Sequence, residues 1–376
     1  MPARGPYNAK AVRIGRTLAE DLRRGRFPDG SYLPAESVLA AECGVARATI
    51  RRALALLERQ RLVTRVPHRG VLVTGTTASA PPPRRRPATT RTIIAAVAAS
   101  QPDEGLALMQ SGIQDYAREH GFDFHLIASA DDPDQPFVAL DHSENLGIHG
   151  AIILPYPGPD HEDVVERLRA RNFPLVCVER RAAAFQVPSV EVDNKTGMYR
   201  AVQHLLATHR RPVWYLGMTP GHKTDSDRYE GYRRAMIDGG YGAQIAERTV
   251  LHEWSTADPR YWHVSDPWRQ GYEVAQRLLA AGDQFWSVAC QKDYIAWGLY
   301  RACAERGLTI GHQVLVTGFD DLGFAAQLDP PLTTIRKPWR ETGYKAAWLL
   351  DRAIHGGLSA PIQVTLPVDL IVRSSS

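Results

Sequence analysis

The spacing of hydrophobic residues changes character along the chain. Between Ala9 and Arg24, Val12, Leu18 and Leu22, with Ile14 and Ala19 beside them, recur at roughly helical intervals. Gly25 and Pro28-Asp29-Gly30 then stop the pattern with turn chemistry. A second helix is predicted from Glu36 to Cys43 on Val38, Leu39 and Ala41, and Gly44 supplies the positive φ of a tight turn after it. In a third, Arg47 to Gln60, Ile50, Ala53, Leu54 and Leu57 fall at i, i+3, i+4 and i+7, which leaves Ala48, Arg51 and Arg52 on the opposite side. Leu62–Arg65 and Val71–Val73 then read as a short hairpin around the basic turn Val66-Pro67-His68-Arg69-Gly70. Short helices around a Gly turn, followed by a two-stranded wing, make the plan of a winged helix-turn-helix.

From Thr92 the pattern becomes short apolar runs alternating with helical stretches. Predicted strands are Thr92–Ala99, Phe122–Ala128, Ala151–Leu154, Leu175–Val178, Ser189–Val192, Val213–Leu216, Trp286–Cys290, Val314–Thr317 and Ile362–Leu366. Between them lie helices over Leu106–His120, Glu162–Arg171, Thr196–Thr208, Tyr229–Asp238, Trp268–Ala281, Tyr294–Arg306 and Trp339–His355. Such alternation predicts an α/β body of parallel sheets. About 285 residues exceeds what one such sheet needs, so two lobes with a ligand cleft between them are expected. The stretch between, GTTASAPPPRRRPATTR, has almost nothing to bury and reads as a semi-rigid basic linker. The expected division is 1–75, 76–91 and 92–376.

Charge sharpens this division. The net +4 conceals a head, residues 1–91, with 18 Lys+Arg against 6 Asp+Glu, and a remainder with 27 against 35. A head of +12 on a body of −8 is the footprint of a nucleic-acid reader joined to something that is not one. Cys43, Cys177, Cys290 and Cys303 are scattered, without a CxxC pair, which argues against a zinc site or disulfide framework. No metal or cofactor is expected. Neither a leader-like apolar run after the N-terminal charges nor a run approaching the roughly 18 apolar residues of a membrane span is present, so a cytoplasmic protein without a membrane partner is expected.

Candidate chemistry follows the same division. Arg47, Thr49, Arg51 and Arg52 occupy the first turns of the third helix, where a recognition helix meets base edges and phosphates. An Arg fork bonds guanine O6 and N7 together, and Thr hydroxyls suit phosphate oxygens. Arg65, His68, Arg69 and Gly70 would form a basic wing. In the body, polar residues follow strand ends, where open α/β sheets bind ligands: Ser100 and Gln101, Glu179, Lys292-Asp293 and Asp320-Asp321. Arg228 is expected to open a helix after a loop at Met218–Asp227, and Trp254 sits in a loop where an indole can stack on a sugar. Helix caps or surface salt bridges explain any one of these equally well; the set points to a ligand.

The head, LPAESVLAAECGVARATIRRALALLERQRLVTRVPHRGVLV, resembles the GntR-family winged helix over about 65 residues from Ala9. That resemblance implies DNA contacts from Arg47, Thr49, Arg51 and the wing around His68–Gly70. Two positions depart from the family pattern: Ser37 stands where an arginine usually reads a base, and Ala46 replaces the usual Ser or Thr cap of the recognition helix. The body, through VPSVEVDNKTGMYRAVQHLLATHRRPVWYLG, DRYEGYRRAM, VTGFDDLGFAAQLDPPLTTIRKP and LPVDLIVRSSS, resembles the LacI/GalR effector domain, with the fold of periplasmic sugar-binding proteins. The resemblance places Glu179, Arg228, Trp254, Lys292 and Asp320 in the cleft, with Ser100 and Gln101 contacting ligand from the first lobe. Lys292 departs from the family's usual Asn. It either favours a sugar acid or sugar phosphate, or pairs with Glu179 or Asp320 and leaves the ligand neutral.

Together these imply an arabinose-repressor-type chimera: a DNA-binding transcriptional regulator, expected to repress, acting as a homodimer on palindromic operator DNA and controlled by a small carbohydrate-like effector. Two rivals are a sugar-binding transport component and an enzyme, since GntR heads are also fused to pyridoxal-phosphate aminotransferase-like bodies. The first requires export. The second requires a Schiff-base lysine, and none of Lys195, Lys223, Lys292, Lys337 or Lys345 lies in such a context.

Overall fold

The structure, a computed structural model, describes residues 7–24, 26–28, 30–59, 62–66, 70–74, 93–98, 104–128, 140–141, 147–153, 159–179, 187–219, 223–252, 266–280, 282, 285–358 and 362–376. The chain divides into two compact units, Met1–Thr90 and Arg91–Ser376.

In the first unit α1 (Tyr7–Arg23), α2 (Glu36–Glu42) and α3 (Arg47–Arg59) precede a hairpin of β1 (Val63–Val66) and β2 (Gly70–Val73), paired antiparallel from Val63↔Val73 to Val66↔Gly70. The expected α3 stripe closes the core: Ile50, Ala53, Leu54 and Leu57 pack with Leu18 and Leu22 of α1, Leu39 of α2 and Val63 and Val73 of the hairpin. Gly44 has the positive φ, 61°, that its turn required.

The second unit holds two six-stranded sheets flanked by helices. The first lobe contains β3 (Ile93–Ala98), α4 (Glu104–His120), β4 (Asp123–Ala128), β5 (Gly150–Ile153), α5 (Pro159–Ala170), β6 (Leu175–Val178) and β7 (Ser189–Val192). The second continues with α6 (Asn194–His209), β8 (Trp214–Met218), α7 (Lys223–Asp238), β9 (Thr249–His252), α8 (Arg269–Leu279), β10 (Trp286–Cys290), α9 (Asp293–Glu305), β11 (Val314–Asp320) and β12 (Thr333–Arg336). The chain then returns to the first lobe through α10 (Trp339–Ile354) and β13 (Gln363–Leu366), and ends in the second on β14 (Asp369–Ile371). Strand orders are β13-β7-β6-β5-β3-β4 and β14-β12-β11-β10-β8-β9. All pairings are parallel except β12 with β14. Strands such as Leu175–Val178 and Trp286–Cys290 are buried throughout, as strands covered on both faces must be.

Three crossovers therefore join the lobes: at Asp193 between β7 and α6, at Lys337-Pro338 between β12 and α10, and between β13 and β14. At the first, the Asp193 carboxylate caps α6 by accepting from Thr196 N at 2.9 Å. Three strands were not expected from the pattern: Thr249–His252, Thr333–Arg336 and Asp369–Ile371.

Candidate DNA interface and ligand cleft

On the head, the buried stripe of α3 turns Arg47, Ala48, Arg51 and Arg52 outward, all four exposed. Thr49 departs from expectation: at 4% exposure it lies on the core-facing side of the helix, one turn before the fully buried Ala53. Its backbone N–H donates to Ala46 O at 2.9 Å, so an alanine starts this helix through its carbonyl alone. Arg51 donates through Nε and Nη2 to Glu36 Oε2, at 3.3 and 3.2 Å. Arg65 is also engaged on the protein: Nη2 donates to Arg51 O at 3.3 Å, Nη1 lies 3.7 Å from Glu36 Oε1, and Nε lies 3.5 Å from Glu58 Oε2. Gly70 has φ 114° at the start of β2; His68 and Arg69 lie outside the described residues.

In the body, Glu179, Arg228 and Asp320 come together where the two lobes join. Arg228 does not open a helix after a long loop. The helix starts five residues earlier, at Lys223, because the polar run KTDSDR is helical without an apolar stripe to signal it. That shift puts Arg228 one turn inside α7, 1% exposed, where its guanidinium meets four groups. Nε donates to Asn194 Oδ1 at 2.9 Å, Nη1 to Gln291 O at 2.8 Å and Nη2 to Asp320 Oδ1 at 3.1 Å. Its carbon sits 3.8 Å from the centre of the Phe319 ring.

The cation that pairs with Glu179 and Asp320 is Lys337, not Lys292. Lys337 sits in the second crossover, 4% exposed, in short contact with Glu179 Oε2, 3.8 Å from Asp320 Oδ1 and 3.6 Å from the centre of the Trp339 ring. Lys292 starts α9 in an extended conformation and makes no ion pair among the described residues. Its neighbour Asp293 is fully buried, accepting from Thr334 Oγ1 at 2.6 Å and Leu322 N at 2.9 Å. Burial, with the nearby Asp320 carboxylate, pushes the Asp293 carboxyl well above the usual range. Asp321 turns away from its neighbour and binds Arg336 at 2.6 Å and Arg373 at 2.7 Å.

Further bridges tie the lobes. Thr224 Oγ1 donates to Glu179 O at 2.5 Å, and both Glu104 oxygens accept from Gly323 N, at 2.9 and 2.8 Å. Glu179, Asp320 and Asp321 all adopt positive φ, 62°, 118° and 52°, uncommon for residues with a Cβ and a form of strain that collects at binding sites. Among the described residues two buried carboxylate oxygens have no hydrogen-bond partner, Glu179 Oε1 and Asp225 Oδ2, while the other Asp225 oxygen accepts from Gln291 Nε2 at 3.1 Å. Ser100, Gln101 and Trp254 lie outside the described residues. Sequence reasoning missed Lys337, Asn194, Gln291 and Asp225. Lys337 was within reach, since it directly follows a strand, but that strand had not been recognised.

Known proteins share both parts of this chain. Residues 10–73 match the family of bacterial regulatory proteins, gntR family, and residues 202–376 match the periplasmic binding protein-like domain. The chain is 33% identical over 218 residues to the HTH-type transcriptional regulator MalR of Streptomyces coelicolor, covering 56% of this chain and 58% of that protein. It therefore spans little more than half the length of that relative. To the arabinose metabolism transcriptional repressor of Geobacillus stearothermophilus it is 26% identical over 378 residues, 98% of this chain and 97% of that one. Among solved structures, a complex of the transcriptional regulator CelR with cellobiose matches with a TM-score of 0.66 at 21% identity, covering 92% of this chain and 100% of the other. A LacI family transcriptional regulator from Enterococcus faecium with bound ribose matches at 0.63 and 22% identity, over 76% of this chain and 98% of the other. These structural likenesses establish the fold of the body.

Proposed function

We propose that this chain, a gntR-type winged helix joined to a periplasmic-binding-protein-like body, is a ligand-responsive transcriptional regulator. It represses by binding palindromic operator DNA as a cytoplasmic homodimer, because one winged helix covers a half-site and two are needed to span the operator. A small effector binds between the lobes and shifts the population of DNA-competent dimers. The observation that carries this reading is the pairing, in one chain, of an outward arginine face on α3 with a two-lobed body whose lobes meet through a buried ion network.

Effector chemistry follows from who is already partnered. Both buried cations of the network, Arg228 and Lys337, are engaged by carboxylates, whereas Glu179 Oε1 and Asp225 Oδ2 lack donors among the described residues. Buried acceptors without donors are costly, and hydroxyl groups on a ligand satisfy them. A neutral, hydroxyl-rich carbohydrate fits this arrangement. The second reading, a sugar acid or sugar phosphate, is favoured by Lys292, which no carboxylate pairs among the described residues.

The test has two steps. Full-length protein selects sequences from a randomised duplex pool, and its thermal unfolding and release from the selected DNA are followed with neutral sugars, sugar acids and sugar phosphates. Stabilisation and release by a neutral sugar are expected. Selective weakening of an anionic compound in Lys292→Asn would establish the second reading instead. Failure to enrich any sequence would overturn the DNA-reading assignment.

A further inference from the structure

Of the exposed arginines on α3, Arg51 alone is tethered: among the described residues Arg47 and Arg52 have no partner, while Arg51 gives two donors to one oxygen of Glu36. We propose that Glu36 is a positioning residue that makes Arg51 the side chain reading a base, by fixing its guanidinium before DNA arrives. This rests on the DNA-reading role proposed above.

Glu36 belongs to the first turn of α2, and its side chain is 20% exposed against 61% for Arg51. The rigid partner is thus the carboxylate and the adjustable one the arginine. With Nε and one Nη2 hydrogen facing Glu36, the two hydrogens on Nη1 and the second on Nη2 stay available, and these form the outer edge of the fork that matches guanine O6 and N7. An arginine held in this way loses less rotamer freedom on binding than one sweeping through solvent, so more of its hydrogen-bond energy appears as discrimination. Arg65 completes the brace. It donates to Arg51 O and reaches Glu36 and Glu58, holding the wing strand β1 against α3. Arg52, untethered, suits phosphate contact, which adds affinity without sequence information. Ser37 gives the same assignment weight, because the head has no arginine at that neighbouring position to share base reading.

Glu36 also sets a negative charge beside the phosphates. Its removal therefore has two effects of opposite sign: weaker discrimination and tighter non-specific binding. A residue serving only to hold the fold would lower both.

The experiment uses full-length protein and a pool of duplexes with a randomised core, sequenced after selection, with binding to the enriched and scrambled duplexes then measured directly. Wild type is expected to prefer G·C at one base pair of each half-site by about ten-fold or more. Arg51→Lys, which keeps the charge but not the fork, and Glu36→Ala should flatten that same base pair to within about three-fold, with Glu36→Ala binding the scrambled duplex more tightly than wild type. Arg52→Ala should weaken every sequence alike. Thermal unfolding of Glu36→Ala alongside wild type detects loss of the fold, and Arg51→Lys tests the same base pair independently. The proposal is overturned if Glu36→Ala keeps the wild-type preference, weakens all sequences equally, or flattens a base pair different from that of Arg51→Lys. Enrichment of no sequence by wild type overturns the DNA-reading role as well.

Discussion

Lys337, which was not among the candidate cleft residues, ties the two lobes of the body together. It lies in a crossover between lobes and touches a carboxylate from each, Glu179 at the end of β6 and Asp320 at the end of β11. Removing one member of a buried pair leaves an uncompensated charge, so Lys337→Met should destabilise the body by about 3–5 kcal/mol. The double variant Lys337→Met with Glu179→Gln removes the stranded charge and should recover most of that loss. Urea unfolding of the full chain measures both, and a single variant costing less than about 1 kcal/mol would remove Lys337 from this role. What was legible at this scale was residue type at strand ends: Glu179, Arg228 and Asp320 do converge. Partner identity was not, because Lys292 and Lys337 are equally plausible cations until the topology brings one of them to Glu179. Thr49 shows the same limit in the head, since the register of one helix decides which hydroxyl is buried.

At the scale of elements, strands with near-continuous apolar runs were read almost to the residue, as with Leu175–Val178 and Trp286–Cys290. Those missed, TTIR and DLI among them, are short, and TTIR is rich in threonine buried by its neighbours rather than by its own hydrophobicity. Helix contacts were less legible still. The crossing of α4 on α10 depends on two glycines: a Cβ on Gly112 would collide with the Arg340 carbonyl, and one on Gly343 with that of Met109. Because the obstacles are backbone atoms, the helices must move apart, and Gly112→Ala and Gly343→Ala should each cost about 2–3 kcal/mol or more in denaturant unfolding. Gly121→Ala, in open space though at φ 75°, should cost less. The C-terminal end of α10 carries a pH-dependent contact. The Asp351 backbone carbonyl, and then its carboxylate, raise the pKa of His355, whose Nδ1 lies 2.9 and 2.7 Å from them. A histidine with a raised folded pKa adds stability below its unfolded value near 6.5 and loses it as pH rises through the folded value. His355→Gln should therefore lower the unfolding temperature slightly at about pH 5.5 and leave it unchanged at about pH 8.5. An equal loss at both would assign the contact to packing instead.

For the whole molecule, the lobes are joined by three crossovers, and Asn194 and Lys337, at two of them, belong to the buried network proposed above to meet the effector. Glu179, Asp193 and Lys337 each lie at or beside a crossover, and Glu104 reaches Gly323 from the first lobe to the second. Closing or rotating one lobe on the other would therefore rearrange these polar groups, and under the proposed function that is the route by which ligand binding energy reaches the DNA-binding unit. The effector changes DNA affinity only as far as it discriminates between the two states, and the coupling is reciprocal. If a sugar weakens operator binding by a factor typical of such systems, roughly 5- to 150-fold, saturating operator must weaken sugar binding by the same factor. Measuring DNA affinity with and without saturating sugar, and sugar affinity with and without the selected duplex, at one salt concentration, gives two ratios that should agree. Fixed salt matters because the +12 head makes DNA affinity steeply ionic, whereas the −8 remainder holding the cleft does not share that dependence. Agreement shows that the two measurements report one linked equilibrium, and Glu179→Gln then tests the site: it should lower sugar affinity if the sugar binds at this network. If the sugar acts outside the Glu179–Lys337–Asp320 network, Glu179→Gln should leave sugar affinity and both ratios at their wild-type values.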